Sequence, residues 1–293
     1  MTADTIKKWQ IGNLEIYRIV EVSSLKDPIS VLLKNGNPEM LKSREWLYPY
    51  FASPEGDMYI SFQAFAVKAG DRRIMIDTCI GCGRDREFAV LSNLQTSFLE
   101  DLELIGFSPD KVDTVLCTHL HYDHVGWNTR LVDGKWVPTF PNARYLLGRA
   151  EWEHWQNLWR DGKVHHEAHL NDSVMPVINA GLVDFIETDF QISDEIKLLP
   201  TPGHTPGHVS VLLESAGERA VITGDALHHP VQFALPDEIT NFCMDPAQAC
   251  RTRRALIERF EDRKALVIGS HFPDPTAGWI DRDETNWRFT VKE

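Results

Sequence analysis

Apolar and polar positions alternate along LEIYRIVEV, residues 14–22, and again along YISFQAFAVK, residues 59–68. A two-residue period of β-branched and aromatic side chains predicts strands. RRIMIDT follows the turn-like AGD at 69–71 and reads as the antiparallel return. The period then lengthens. Leu99, Leu102 and Ile105 stand at helical intervals, Ser97 and Glu100 have capping-box spacing, and Gly106 is a stop signal, so a helix is expected from SFLE to Gly106. DTVLCT (113–118) is the next strand, Asp133-Gly134 between short apolar runs predicts a type I′ hairpin, and ARYLLG (143–148) is a further strand. RAEWEHWQNLWR (149–160) is helical, with Trp152, Trp155 and Trp159 at i, i+3 and i+7. In the second half EIKLLPT, HVSVLLE and RAVITGD read as successive strands, PAQACRTRRALIERFED as a helix and KALVIGSH as a last strand. Strands followed by helices in each half, with no Ser/Gly-rich linker, predict an α/β chain of two sheets with helices outside, in one domain spanning 1–293.

Composition narrows the partners. Of the 293 residues, 43 are acidic and 30 are Lys or Arg, giving a formal charge of −13 that repels a phosphate backbone, so no nucleic acid is expected. No apolar run approaches membrane-spanning length and no secretory leader is recognisable at the N-terminus, so no membrane is expected and the cytoplasm is the expected location. Five cysteines, an odd and sparse set, suit free thiols in a reducing compartment. Cys79 and Cys82 have redox spacing in CIGC, but without a thioredoxin-like βαβ context they read as packing residues.

The chemistry concentrates in THLHYDHVGWN, residues 118–128. His119 and His121 alternate along an extended segment and can share a face; if a helical turn follows, Asp123 and His124 can face the same space. One short segment then supplies two ligand pairs, and imidazole with carboxylate favours borderline divalent ions such as zinc. Further candidates end later strands: His204 and His208 in TPGHTPGH, Asp225 in ITGDALHH and His271 in VIGSHFPDP.

These residues resemble the metallo-β-lactamase superfamily, whose fold is a four-layered αββα sandwich with a metal site at one edge of its paired sheets. The resemblance runs from FAVKAGDRRIMIDT to GSHFPDP. It implies that His119, His121 and His204 bind one ion, that Asp123, His124 and His271 bind a second, and that Asp225 bridges them. Asp77, in MIDT, matches a position that holds the motif loop without binding metal. The cofactors implied are two divalent ions, zinc foremost, with manganese or iron as alternatives. The full set with Asp225 is closest to the branch resembling acyl-homoserine lactonases and methyl parathion hydrolase. The chemistry implied is a metal-bridging hydroxide attacking a small-molecule substrate, a hydrophobic lactone or carboxylic ester. A phosphotriester hydrolase is the alternative, and an iron-dependent oxygenase the alternative of another class. Asp123 and Asp225 are the candidate proton carriers. Many lactonases place a tyrosine three residues after the bridging aspartate; His228 stands there, and is the third candidate catalytic residue.

Substrate contacts are expected from aromatic side chains: Trp46, Tyr50 and Phe51 in REWLYPYF, Trp155 in the Trp-rich helix, and Phe233 and Phe272 near the later motifs. Segments 38–56 and 150–180 are expected to cover the substrate, and an aromatic patch at 44–51 would alternatively be buried in a homodimer. His208 reads as a packing residue. His154, His165, His166 and His169 read as solvent-exposed, with a place in a substrate-covering segment as the alternative.

Overall fold

Among the described residues sixteen strands, nine in the first part of the chain and seven in the last, carry the architecture. In the computed structural model residues 6–161, 168–283 and 286–291 are described. The chain divides into two compact units: Met1–Glu21 with Phe62–Glu187, and Val22–Ser61 with Thr188–Glu293.

The first seven-stranded sheet runs in the order β1 (Lys8–Ile11), β2 (Leu14–Pro28), β3 (Asp57–Ala69), β4 (Arg72–Ile76), β5 (Thr114–Leu116), β8 (Arg144–Gly148), β9 (Val183–Ile186). β3 and β4 pair antiparallel, while β4, β5, β8 and β9 pair parallel in sequence. Parallel strands need helical crossovers, and the helices Phe98–Leu104 and Arg149–Arg160 supply them. Ser97 stands at the N-cap as expected, but its hydroxyl donates to the Asp101 carboxylate at 2.9 Å and not to the capping-box pattern; the helix ends before Gly106, at φ +79°. The hairpin β6 (Thr129–Val132) and β7 (Lys135–Pro138) turns at Asp133 and Gly134 with φ of 50° and 75°, the left-handed pair that a type I′ turn requires. The core of this unit is aliphatic and aromatic, from Ile19 and Met75 through Phe98, Phe107, Val115 and Tyr145 to Trp155 and Val177.

The second sheet runs in chain order: β10 (Gln191–Ser193), β11 (Ile196–Pro200), β12 (Val209–Ser215), β13 (Glu218–Ile222), β14 (Leu266–Ile268), β15 (Ala277–Asp283), β16 (Asn286–Thr290). β13 and β14 are parallel, joined through the helix Pro246–Phe260; the other pairs are antiparallel. Asp245 caps that helix, its carboxylate accepting from the Gln248 amide at 2.9 Å, with Pro246 at the first helical position. The core of the second unit includes an aromatic cluster in which Phe233 stacks on Phe289 at 5.3 Å and Phe51 and Phe272 meet Phe289 edge-on. No helix among the described residues is long and apolar enough to cross a membrane.

Candidate metal centre

In the first unit β5 ends at Leu116 and the motif follows in an extended segment, with His121 at φ −68° and ψ 155°, before a single helical turn at Tyr122–Val125. That break brings the ligating atoms into pairs. His119 Nε2 lies 2.9 Å from His121 Nδ1, and His124 Nε2 lies 3.6 Å from an Asp123 oxygen. All four residues belong to His/Asp groups with the chemistry to hold an ion. A buried imidazole, His119, thus meets a half-buried one, His121, nitrogen to nitrogen.

The loop is held from behind. Asp77, 1% exposed, accepts from the Thr118 amide at 2.7 Å, the Thr118 hydroxyl at 2.9 Å and His124 Nδ1 at 2.8 Å. Its grip on the rear nitrogen of His124 leaves Nε2 as the atom facing Asp123, the arrangement by which a carboxylate orients a metal-binding imidazole. His119 Nδ1 similarly meets the Thr118 hydroxyl at 3.2 Å. Gly126 is required by a close approach: a Cβ there would stand 2.0 Å from the Ile80 carbonyl, and its amide donates to the Cys79 carbonyl at 2.7 Å. The CIGC segment thus packs against the motif, with Cys79 and Cys82 as free thiols.

In the second unit each candidate follows a different strand. His204 comes after β11, Asp225 after β13 and His271 after β14, all under 5% exposed. Asp225 is their centre: one oxygen lies 3.2 Å from His204 Nε2, the other 3.1 Å from His271 Nε2. The rear nitrogen of His271 donates to the Ser61 carbonyl at 2.9 Å and that of His204 faces Cys243 Sγ at 3.7 Å. His204, Asp225 and His271 are likewise members of the metal-capable groups. His208 is not among them. Its Nε2 accepts from the Asp225 amide at 2.8 Å and its Nδ1 donates to the Thr201 carbonyl at 3.0 Å, so it fixes the backbone from which Asp225 projects. The glycines of TPGHTPGH and ITGD follow from the same crowding: Gly203 sits at φ +126°, and a Cβ on Gly224 would come 2.6 Å from His208 Nε2.

His228 is 3% exposed, with Nε2 at 3.2 Å from the Asp225 oxygen that also faces His204; its Nδ1 has no hydrogen-bond partner among the described residues. Burial lowers its pKa below the ordinary imidazole value. It therefore differs from the ligand candidates in lacking a rear anchor.

The aromatic candidates are spread. Tyr50 is 44% exposed and Trp46 is half-buried against the second unit's core, in which Phe51, Phe233 and Phe272 are fully buried. Trp155 is buried in the first unit, its ring edge-on to His121 at 5.5 Å. His169 is buried and edge-on to Trp155 at 5.3 Å, where exposure was expected, because helical residues 168–169 lead into the π-helical turn Leu170–Val174 that Asp172 ties to Arg84 at 2.8 Å and Arg86 at 2.9 Å. His154 is half-buried; His165 and His166 lie outside the described residues. Two glutamates escape sequence reasoning. Glu21 is half-buried and accepts from the Ile80 amide at 2.6 Å and the Trp127 indole at 2.7 Å, and Glu151 is buried beneath the motif. Each stands in an amphipathic run where a glutamate signals solvent, so nothing in the sequence marks it.

The metallo-beta-lactamase superfamily model matches residues 63–271, most of the chain. The chain belongs to the metallo-beta-lactamase superfamily. Within the superfamily it is similar to the N-acyl homoserine lactonase AiiA of Bacillus thuringiensis subsp. kurstaki, 28% identical over 171 residues that cover 58% of this chain and 60% of that protein. The match thus spans about three fifths of the length of that curated relative. The crystal structure of the hydrolase AbOPH, in the beta lactamase superfamily, superposes with a TM-score of 0.78 at 26% identity over 98% of both chains. The dizinc quorum-quenching lactonase AidC, solved with a product, shares the fold with a TM-score of 0.78 at 21% identity, over 98% of this chain and 97% of that one. The fold expected from the motif is the metallo-β-lactamase fold of these neighbours.

Proposed function

We propose that this chain is a dinuclear metal-dependent hydrolase of hydrophobic lactones or carboxylic esters. The observation that carries the reading is the disposition of Asp225, whose two oxygens face two different imidazoles, His204 and His271. A carboxylate serving one ion needs no such division; one shared between two ions does. Zinc fits a set of imidazoles and carboxylates.

In this reading His119, His121 and His204 would hold one ion and Asp123, His124 and His271 the other, with Asp225 available to both. When bound, the ions supply an activated water at neutral pH and polarise the scissile carbonyl. The chain's own groups do the rest. Asp77 and Ser61 fix the ligating tautomers of His124 and His271 through their rear nitrogens. His228, kept neutral by burial, donates a hydrogen bond to the oxygen on which charge develops. Asp123 or Asp225 carries the proton to the leaving oxygen. Segments 38–56 and, within 150–180, the described residues 150–161 and 168–180 are the candidates to cover the substrate, residues 162–167 lying outside the described residues, with Tyr50 the most exposed of the aromatic candidates. The likeness to N-acyl homoserine lactonases supports a lactone as the first substrate to try.

The test is metal content and initial rates of zinc- and manganese-loaded protein on acyl-homoserine lactones, simple γ- and δ-lactones, aryl esters and a phosphotriester. Two equivalents of metal and a lactone preference of about 10³ in kcat/KM, on the order of 4 kcal/mol of transition-state discrimination, are expected. A leading phosphotriester, or a single equivalent of metal at full activity, would overturn it.

A further inference from the structure

Glu151 is 1% exposed and sits in the first turn of the helix Arg149–Arg160, directly after β8. One of its oxygens, Oε1, accepts two hydrogen bonds: from the Leu120 amide at 3.1 Å and from the Trp155 indole N–H at 2.7 Å. Leu120 is the residue between His119 and His121. Trp155, one turn further along the helix, presents its ring edge-on to His121 at 5.5 Å with the planes at 79°. One carboxylate oxygen therefore grips both the backbone between two ligand candidates and the aromatic wall against the second of them.

Packing alone does not call for this residue. A buried carboxylate costs several kcal/mol unless it is compensated, whereas an apolar side chain would seat the helix on the motif without that cost. The helix N-terminus and the two donors offset part of the penalty. A negative charge beneath the ligands also favours a cation among them, which a neutral side chain would not do.

We propose that Glu151 is a positioning residue for the metal-binding motif: through the Leu120 amide and the Trp155 indole it fixes the ring of His121 with Nδ1 beside His119 Nε2, and its charge strengthens the site for a cation. The inference rests on the metal-hydrolase reading. Because both donors meet the same oxygen, Glu151→Gln retains their acceptor and removes the charge, Glu151→Ala removes both, and Trp155→Phe keeps an aromatic ring against His121 while deleting the indole N–H.

The experiment is zinc affinity by chelator competition, with thermal unfolding of the metal-free proteins and the His121 ring resonances of metal-free, histidine-labelled protein as independent readouts. Expected is a Glu151→Gln protein that unfolds near the parent temperature but binds zinc about 10-fold more weakly, the low end of what changing a group behind the ligands costs, here through the lost negative charge. Trp155→Phe should shift the His121 resonances, and Glu151→Ala should lose the most affinity. If the parent binds zinc and folded Glu151→Gln and Trp155→Phe proteins bind it as tightly, with His121 unmoved, the inference is overturned and the metal-hydrolase reading stands. If the parent itself binds no zinc, that reading falls and the inference with it. Should Glu151→Ala fail to fold, the other two variants decide.

Discussion

The two units present their histidines by opposite means. In the first, four ligand candidates lie within six consecutive residues and are held by carboxylate side chains, Asp77 behind His124 and Glu151 beneath Leu120. In the second, three candidates arrive from three strand ends and are held largely by peptide groups: the Ser61 carbonyl on His271, and the Met244 amide donating to the His204 carbonyl at 2.9 Å. The organising carboxylate of the second unit, Asp225, stands among the ligand candidates, not behind them. A contiguous motif on a loop needs side-chain props because its backbone is not in a sheet; ligands that end strands inherit their position from the sheet ladder.

If that contrast is right, the largest single effect on turnover comes from the centre of the second set. Asp225→Ala should lower kcat/KM by at least about 10³, roughly 4 kcal/mol in transition-state stabilisation, while leaving the metal-free protein folded. Full hydrolytic activity in that variant would break the shared-carboxylate reading.

Acid should next separate the units, because a titratable group in each responds in the opposite sense. His229, fully buried in the second unit, uses both nitrogens in its neutral form: Nε2 donates to the Phe51 carbonyl at 2.8 Å and Nδ1 accepts from the Val231 amide at 3.1 Å. Burial lowers its pKa to about 4. The unfolded chain therefore binds the extra proton first. The stability that neutral His229 contributes is complete above about pH 6.5 and is lost as the pH falls toward 4, on the order of 3 kcal/mol. Glu21 in the first unit is shifted upward by burial, so protonating it favours the folded state as the pH falls. Urea titrations at pH 7 and pH 5 should show His229→Gln flattening the acid loss of the parent; an unchanged pH slope would remove His229 as its source.

Asp77 tests the side-chain prop directly. Asp77→Asn keeps an acceptor for the Thr118 amide but cannot accept from both the Thr118 hydroxyl and His124 Nδ1 as the carboxylate does. The expected cost is about 2 kcal/mol in unfolding free energy, with metal affinity falling together with it. A stability loss with unaltered affinity would make Asp77 a loop anchor only.

The same contrast explains what the sequence disclosed. The candidates His119 to His124 were legible because they are contiguous, and His204, Asp225 and His271 because each follows an apolar run that reads as a strand. The props were not legible, since Glu21 and Glu151 occupy positions where an amphipathic pattern assigns a glutamate to water. Strands β1, β9 and β10 are three or four residues long and too short to show a period, and β15 interrupts its apolar positions with Asp281, Arg282 and Asp283. The aromatic residues Phe51, Phe233 and Phe272 gave no sequence cue to distinguish a core position from a substrate contact, and they lie in the second unit's core.

The smallest effect sharpens the comparison most locally. The hairpin turn at Asp133-Gly134 belongs to the unit whose motif depends on props, and β6 begins at Thr129, immediately after the motif. Asn128 links the two, its carbonyl accepting from the Thr139 amide at 3.0 Å and from the Tyr145 hydroxyl at 2.9 Å, while Arg84 donates to the Thr129 carbonyl at 2.6 Å. Gly134→Ala meets no atom within 4 Å, so its cost is only that of placing a Cβ at φ +75°, about 1 kcal/mol. With Asn128 and Thr129 clamped independently of the turn, that loss should appear in thermal unfolding and leave zinc affinity unchanged. A fall in affinity with Gly134→Ala would instead make the hairpin one of the supports of the candidate metal-binding loop, and would extend the first unit's dependence on its surroundings beyond the buried carboxylates.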